Sequence, residues 1–215
     1  MLNWIGPEAE RIRVAFTKVF GANPQPFGNA ALRIGGFSDG KAGVQWNVAY
    51  HPDDERLWVG VNLEGMQYDD WPIARMIERE LKEPSLVELV KNDPGLADVQ
   101  LLWRRDYWQA NSRPAIEERI IESKALGDLD NEVWRGSLIQ ALACLDKRRK
   151  YRGRGRQTVT LPNGTPVEGE VSPHLTFEYF AQNPTSYEDF FREAKGRMQN
   201  LHKWLKDRAA RPIKF

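Results

Sequence analysis

The chain has 215 residues and a formal net charge of +1 at pH 7, with 41% hydrophobic and 28% charged residues. This balance is typical of a folded protein and excludes disorder caused by low hydrophobicity and high net charge. The single cysteine, Cys144, excludes an intrachain disulfide and a multi-cysteine zinc site. No apolar stretch is as long as a membrane span, and the N-terminal segment lacks the features of a signal peptide. We therefore expect a cytoplasmic protein without membrane contact.

The N-terminal part of the chain predicts a helix and then an antiparallel meander. The helix begins at Pro7, which suits a first turn, and ends at Gly21, a natural C-terminal stop. Three strand-like segments follow, at residues 30–34, 44–50 and 57–63. The last two alternate apolar and polar residues, which is the pattern of half-buried strands. Turn-rich connections between the segments indicate antiparallel pairing.

Four helices and a strand are predicted for the middle of the chain. The helices cover residues 70–82, 85–91, 115–125 and 130–145, and the strand covers residues 99–103. Pro84 separates the first two helices, and Asp130 caps the fourth. Asn111-Ser112-Arg113-Pro114 is a candidate boundary between two subdomains.

The C-terminal part predicts a hairpin, a strand and a last helix. Pro162-Asn163-Gly164 is a strong turn signal between two short arms. The strand covers residues 175–179, and the helix begins at Ser186. The whole chain, residues 1–215, is therefore predicted to form one α+β domain: an antiparallel-rich sheet in the order helix, three-strand meander, helix, strand, with packing helices and a basic hairpin in the C-terminal half.

The densest charge lies just before the predicted hairpin, in residues 147–156, the basic segment. Seven of its ten residues are Lys or Arg and none is acidic, so the rest of the chain sums to −6. Clustered like charges repel one another unless an anion meets them, and Gly153 and Gly155 let the backbone follow a phosphate chain. The segment therefore predicts binding of DNA or RNA. The residues expected to bind are Arg148, Arg149, Lys150, Tyr151, Arg152, Arg154 and Arg156.

Two other interpretations of the basic segment stay open. Cations at the C-terminal end of a helix favour its macrodipole, which accounts for residues 147–150 but not for the arginines beyond Gly153. A basic loop can also dock onto an acidic protein surface within a larger assembly. Tyr151 and Trp108 lie beside cations and could stack on bases, whereas Trp103 is expected in the core.

The order helix, three-strand meander, helix, strand over residues 7–104 resembles the core of the restriction-endonuclease-like nucleases. In that family an acid near the second strand and an acid-x-Lys on the third hold a divalent metal that activates water. The resemblance implies that Glu64 is an acid at the end of the third strand, with Asp53 or Asp54 as a second acid and Mg²⁺ as the metal. Met66 stands where the family has its lysine.

Other patterns of chemical interest are explained as structure. Three further acid-x-Lys triplets occur, the first in a predicted turn and the others in predicted helices: Asp39-Gly40-Lys41, Glu122-Ser123-Lys124 and Glu193-Ala194-Lys195. The three histidines, His51, His174 and His202, lack metal-ligand spacing and are expected to be surface or structural residues. Whether the protein is an enzyme is left open by its sequence.

Overall fold

The fold is α+β, as the order of elements predicts: a seven-stranded antiparallel sheet packs against helices. The computed structural model describes residues 6–21, 23–29, 34–40, 43–51, 55–64, 72–105, 120–143, 157–160, 166–169 and 173–210. The candidate subdomain boundary at residues 111–114 lies outside these ranges.

The sheet joins strands from both halves of the chain. The strands are β1 (Gln25–Asn29), β2 (Ile34–Ser38), β3 (Val44–His51), β4 (Arg56–Glu64), β5 (Gln100–Arg105), β6 (Ile120–Ala125) and β9 (Pro173–Gln182). Their order in the sheet is β1-β2-β3-β4-β9-β5-β6, and every pair of neighbours is antiparallel. The remaining two strands, β7 (Gln157–Thr160) and β8 (Pro166–Gly169), form the predicted hairpin, and its turn lies outside the described residues.

The helices share one buried core with one face of the sheet. They are α1 (Pro7–Phe20), α2 (Pro72–Lys82), α3 (Leu86–Asn92), α4 (Asn131–Ala143) and α5 (Tyr187–Ala209), with two short 3₁₀ turns, Pro94–Leu96 and Leu126–Asp128. Apolar side chains on one face of the sheet pack into this core, including Val48, Val59 and Phe177. They are the apolar positions of strands in which apolar and polar residues alternate. None of the helices that the structure describes is long and apolar enough to cross a membrane.

Local signals set the helix ends as expected. Gly21 adopts the left-handed conformation at φ 64° and closes α1. The Asp130 carboxylate accepts a hydrogen bond from the Val133 backbone N–H at 2.8 Å, and Ser186 Oγ accepts one from the Asp189 N–H at 3.2 Å. These side chains satisfy N–H groups that a helix N-terminus leaves without an intrahelical partner.

The predicted first strand at residues 30–34 ends too early, because β2 continues from Ile34 to Ser38. Residues 30–33 lie outside the described chain, and β1 and β2 flank them, so the meander has four strands rather than three. Pro26 is compatible with β1 because an edge strand tolerates a missing N–H. Gly36 continues β2, since a Cβ there would lie 2.1 Å from the Val48 carbonyl oxygen and 2.6 Å from the Phe27 ring. Close packing explains this glycine.

The helix predicted at residues 115–125 is also wrong where the structure describes it. Residues 120–125 form β6, with Glu122 opposite Trp103 of β5, while residues 115–119 lie outside the described ranges. Ile120 and Ile121 are β-branched and suit a strand. Pairing with the edge of β5 outweighs a helical periodicity that extends over only a few turns.

Candidate functional site

Polar side chains cover part of the sheet face that points away from the shared core, beside a small apolar cluster of Ile34, Ala49 and Trp58. Because side chains alternate along a strand, the register places Asn47 of β3, Asn62 of β4 and Glu178 of β9 on this face. The face is buried: Gln45, Asn47, Asn62, His174, Thr176 and Glu178 are each at most 7% exposed. The alternation at residues 44–50, which predicts a half-buried strand, therefore has both faces buried. We call Asn47, Asn62, Arg104, His174, Thr176 and Glu178 the polar cluster.

An ion pair joins two strands within the polar cluster. Arg104 of β5 donates from Nη2 to Glu178 Oε1 of β9 at 3.2 Å, and the two side chains are 13% and 3% exposed. Burial raises the pKa of the Glu178 carboxyl, and the positive charges of Arg104 and Arg56 oppose this rise. Glu178 therefore takes up a proton at a higher pH than an exposed glutamate does.

His174 lies opposite Arg104 in the register of β9 and β5. Burial, together with the positive charge of Arg104, lowers the pKa of His174 to about 3. The imidazole is thus neutral near pH 7, and His174 is a buried residue rather than a surface one. Within the described ranges no group of three or more His, Cys, Asp or Glu side chains could hold a metal ion.

A cavity of about 20 Å³ lies within the polar cluster. The described residues that line it are Phe27, Asn47, Trp58, Asn62, Arg104, His174, Thr176 and Glu178. Thr176 Oγ1 donates to Asn62 Oδ1 at 3.3 Å, whereas Asn47 Oδ1 is buried without a hydrogen-bond partner among the described residues. This volume has room for about one water molecule and none for an organic substrate.

A second buried carboxylate, Glu80 of α2, has a structural role. It is fully buried and accepts hydrogen bonds from the Ser85 and Leu86 backbone N–H groups at 3.1 and 3.2 Å. It also accepts bonds from Ser85 Oγ at 2.7 Å and from Trp134 Nε1 at 3.0 Å, and it pairs with Arg208 at 3.0 Å. The network connects α2 to α3, α4 and α5. Its donors occupy the hydrogen-bond acceptor positions of the Glu80 carboxylate.

The residues that the sequence singles out for function lie mostly outside the described chain. This holds for the whole basic segment and for Asp53 and Asp54. Glu64 is the last residue of β4 and is paired in register with His174. Gly60, the β4 partner of Glu178, is four residues from Glu64, so the Glu64 and Glu178 backbones lie roughly 13 Å apart along the strands.

The triplet Glu122-Ser123-Lys124 lies on strand β6 instead of a helix. Its acid is engaged by its own chain: Glu122 Oε2 accepts from Ser137 Oγ at 3.2 Å, and Oε1 accepts from the Ser123 N–H at 3.1 Å. Glu122 is opposite Trp103 in the register of β6 and β5, so it lies on the sheet face that packs against the helices and not on the face of the polar cluster.

Sequence reasoning missed the polar cluster, although one signal for it was present. Asn47, Asn62, Thr176 and Glu178 occupy the polar positions of otherwise apolar alternating strands. That pattern cannot distinguish a solvated face from a buried one. Trp103, in contrast, is fully buried, as expected.

Comparisons with protein-family models, with curated proteins and with solved structures give no match for this chain.

Proposed function

We propose that the protein is a cytoplasmic nucleic-acid-binding protein whose basic segment contacts phosphates. The observation that carries the proposal is the segregation of charge: seven cations and no acid in ten residues, on a chain whose other residues sum to −6. Binding releases counterions from the nucleic acid, which supplies a large, sequence-independent part of the affinity.

Cations elsewhere on the protein support this proposal, because many already have partners in their own chain. The described cations that pair with carboxylates include Arg11, Arg13, Lys18, Lys82, Lys91, Arg104, Arg192, Arg197 and Arg208. A paired cation has less to gain from a phosphate. The basic segment holds no acid of its own, so its charge has to be balanced from elsewhere.

The test is the salt dependence of binding to labelled single-stranded DNA, duplex DNA and RNA. Contact with about four phosphates gives a slope of about −3 to −4 in log affinity against log salt. We expect the triple variant Arg152→Ala, Arg154→Ala, Arg156→Ala to flatten the slope to about −1, because three of those contacts are lost. Fluorescence anisotropy titrations at several salt concentrations measure both slopes.

A matched control removes three positive charges elsewhere. Lys91, Lys203 and Lys206 are exposed on α3 and α5, and their replacement by alanine should leave the slope unchanged. An equal slope in wild type and in the arginine variant would remove the basic segment from the interface. Binding to polyglutamate, with no measurable affinity for any nucleic acid, would instead favour a protein partner with an acidic surface.

A Mg²⁺-dependent nuclease is the alternative function, and one observation favours it: Glu64 is the last residue of strand β4 of the main sheet, and the resemblance places an acid at the end of such a strand. The expected result under this alternative is Mg²⁺- or Mn²⁺-dependent cleavage of DNA or RNA that Glu64→Gln abolishes. Gel assays with both metals measure it, and Glu88→Gln, an exposed helical acid, is the control. Absence of cleavage with every substrate would discard the nuclease alternative and leave the binding proposal intact.

A further inference from the structure

The cavity in the polar cluster contains an unsatisfied acceptor. Asn47 is 5% exposed and lines the cavity, and its Oδ1 has no hydrogen-bond partner in the part of the chain that the structure describes. Leaving a buried polar atom without a partner is costly, and such atoms in folded proteins are usually met by a ligand or an ordered water. The acceptor therefore indicates that something with a hydrogen-bond donor occupies the cavity.

The walls of the cavity restrict what that occupant can be. A cation is disfavoured because the Arg104 guanidinium forms part of the wall. An anion is disfavoured by the Glu178 carboxylate and by the Asn47 oxygen. The volume of about 20 Å³ excludes an organic molecule. What remains is a small neutral molecule that can donate and accept hydrogen bonds.

The position of the cavity favours an occupant that connects strands. Gly60 of β4 is paired with Asn47 on one side and with Glu178 on the other, so two strand spacings, roughly 10 Å, separate the Asn47 and Glu178 backbones. Gly60 has no side chain to fill the gap, and a Cβ there would lie 2.9 Å from the Trp58 ring. The glycine thus lets the Trp58 ring lie over β4 and close the cavity.

We infer that this cavity is a binding site for one internal water molecule that bridges β3 and β9 across Gly60. The water donates one hydrogen bond to Asn47 Oδ1 and one to the Glu178 carboxylate, whose Oε1 already accepts from Arg104. It accepts a hydrogen bond from a donor in the wall, Asn62 or Arg104. Three such bonds are the usual number for a buried water.

Oxygen-17 magnetic relaxation dispersion tests the inference, because it counts long-lived internal waters. We expect Asn47→Leu, of similar size but without the acceptor, to lose one long-lived water relative to wild type. The control Ser137→Ala, which removes a buried hydroxyl from α4, should keep the wild-type count. Equal counts in wild type and Asn47→Leu would overturn the inference.

A second measurement needs no variant and so does not depend on the folding of Asn47→Leu. The carbon-bound ring protons of Trp58 line the cavity and do not exchange with solvent. A long-lived water in the cavity gives a cross-relaxation peak between water and these protons in the wild-type protein. If no such peak is present, the cavity is dry and the assignment is wrong.

Discussion

Acid should destabilise this protein through His174, and His174→Gln should remove that part of the pH dependence. The pKa of His174 is about 3 in the folded protein, against an ordinary value of 6.5. The unfolded chain therefore binds the proton first, and the stabilisation is present above pH 6.5 and lost as the pH falls towards 3. The shift corresponds to a loss of about 5 kcal/mol in the free energy of unfolding.

Urea denaturation at pH 7, 6, 5 and 4 measures this effect. The wild-type free energy of unfolding should fall steeply below pH 6.5, while His174→Gln should show a much flatter profile. Val59→Ala is the control, because it truncates a fully buried apolar side chain and lowers stability without removing a titratable group. Parallel profiles for wild type and His174→Gln would show that His174 does not carry the acid sensitivity.

Two other side chains of the polar cluster, Arg104 and Glu178, also affect how stability depends on pH, and their effects must be distinguished from that of His174. The positive charge of Arg104 lowers the pKa of His174. Glu178 acts in the opposite direction, since its raised pKa means that stability falls as the pH rises through that pKa. Glu178→Gln removes this opposing contribution, so the free energy of unfolding should fall more steeply below pH 6.5 in this variant than in wild type.

Replacing Glu80 by alanine should cost about 3 to 5 kcal/mol of the free energy of unfolding. The substitution leaves the buried Trp134 Nε1–H and Leu86 N–H without their acceptor and leaves Arg208 without its buried counter-charge. In the unfolded chain water solvates these groups with or without Glu80. The substitution therefore destabilises only the folded state. Equilibrium urea denaturation at pH 7 measures the change.

Glu83→Ala is the matched control for Glu80→Ala. Glu83 also pairs with Arg208, at 3.8 Å, but its side chain is 85% exposed. An exposed ion pair contributes about 0 to 1 kcal/mol, so this variant should be close to wild type. If the two alanine variants lose equal stability, the buried network around Glu80 is not what ties α2 to the other helices.

Elements with a long, regular apolar period could be predicted from the sequence. The apolar stripe of α5 and the alternation of β3 and β4 recur over enough residues to outweigh local exceptions. Short elements next to glycine or proline could not be assigned in the same way. Gly36 continues β2 because the Phe27 ring and the Val48 backbone lie against it, and both contacts come from other strands. Residues 120–125 are a strand because β5 offers an edge for pairing.

The sequence by itself determined the α+β class, the antiparallel meander and the concentration of positive charge in residues 147–156. Each of these depends on residues that are near one another in the chain. Only the tertiary structure decided that the polar positions of β3, β4 and β9 are buried and that they meet Arg104 of β5. The physical reason is that alternation along a strand distinguishes two faces, whereas burial of each face depends on what packs against it.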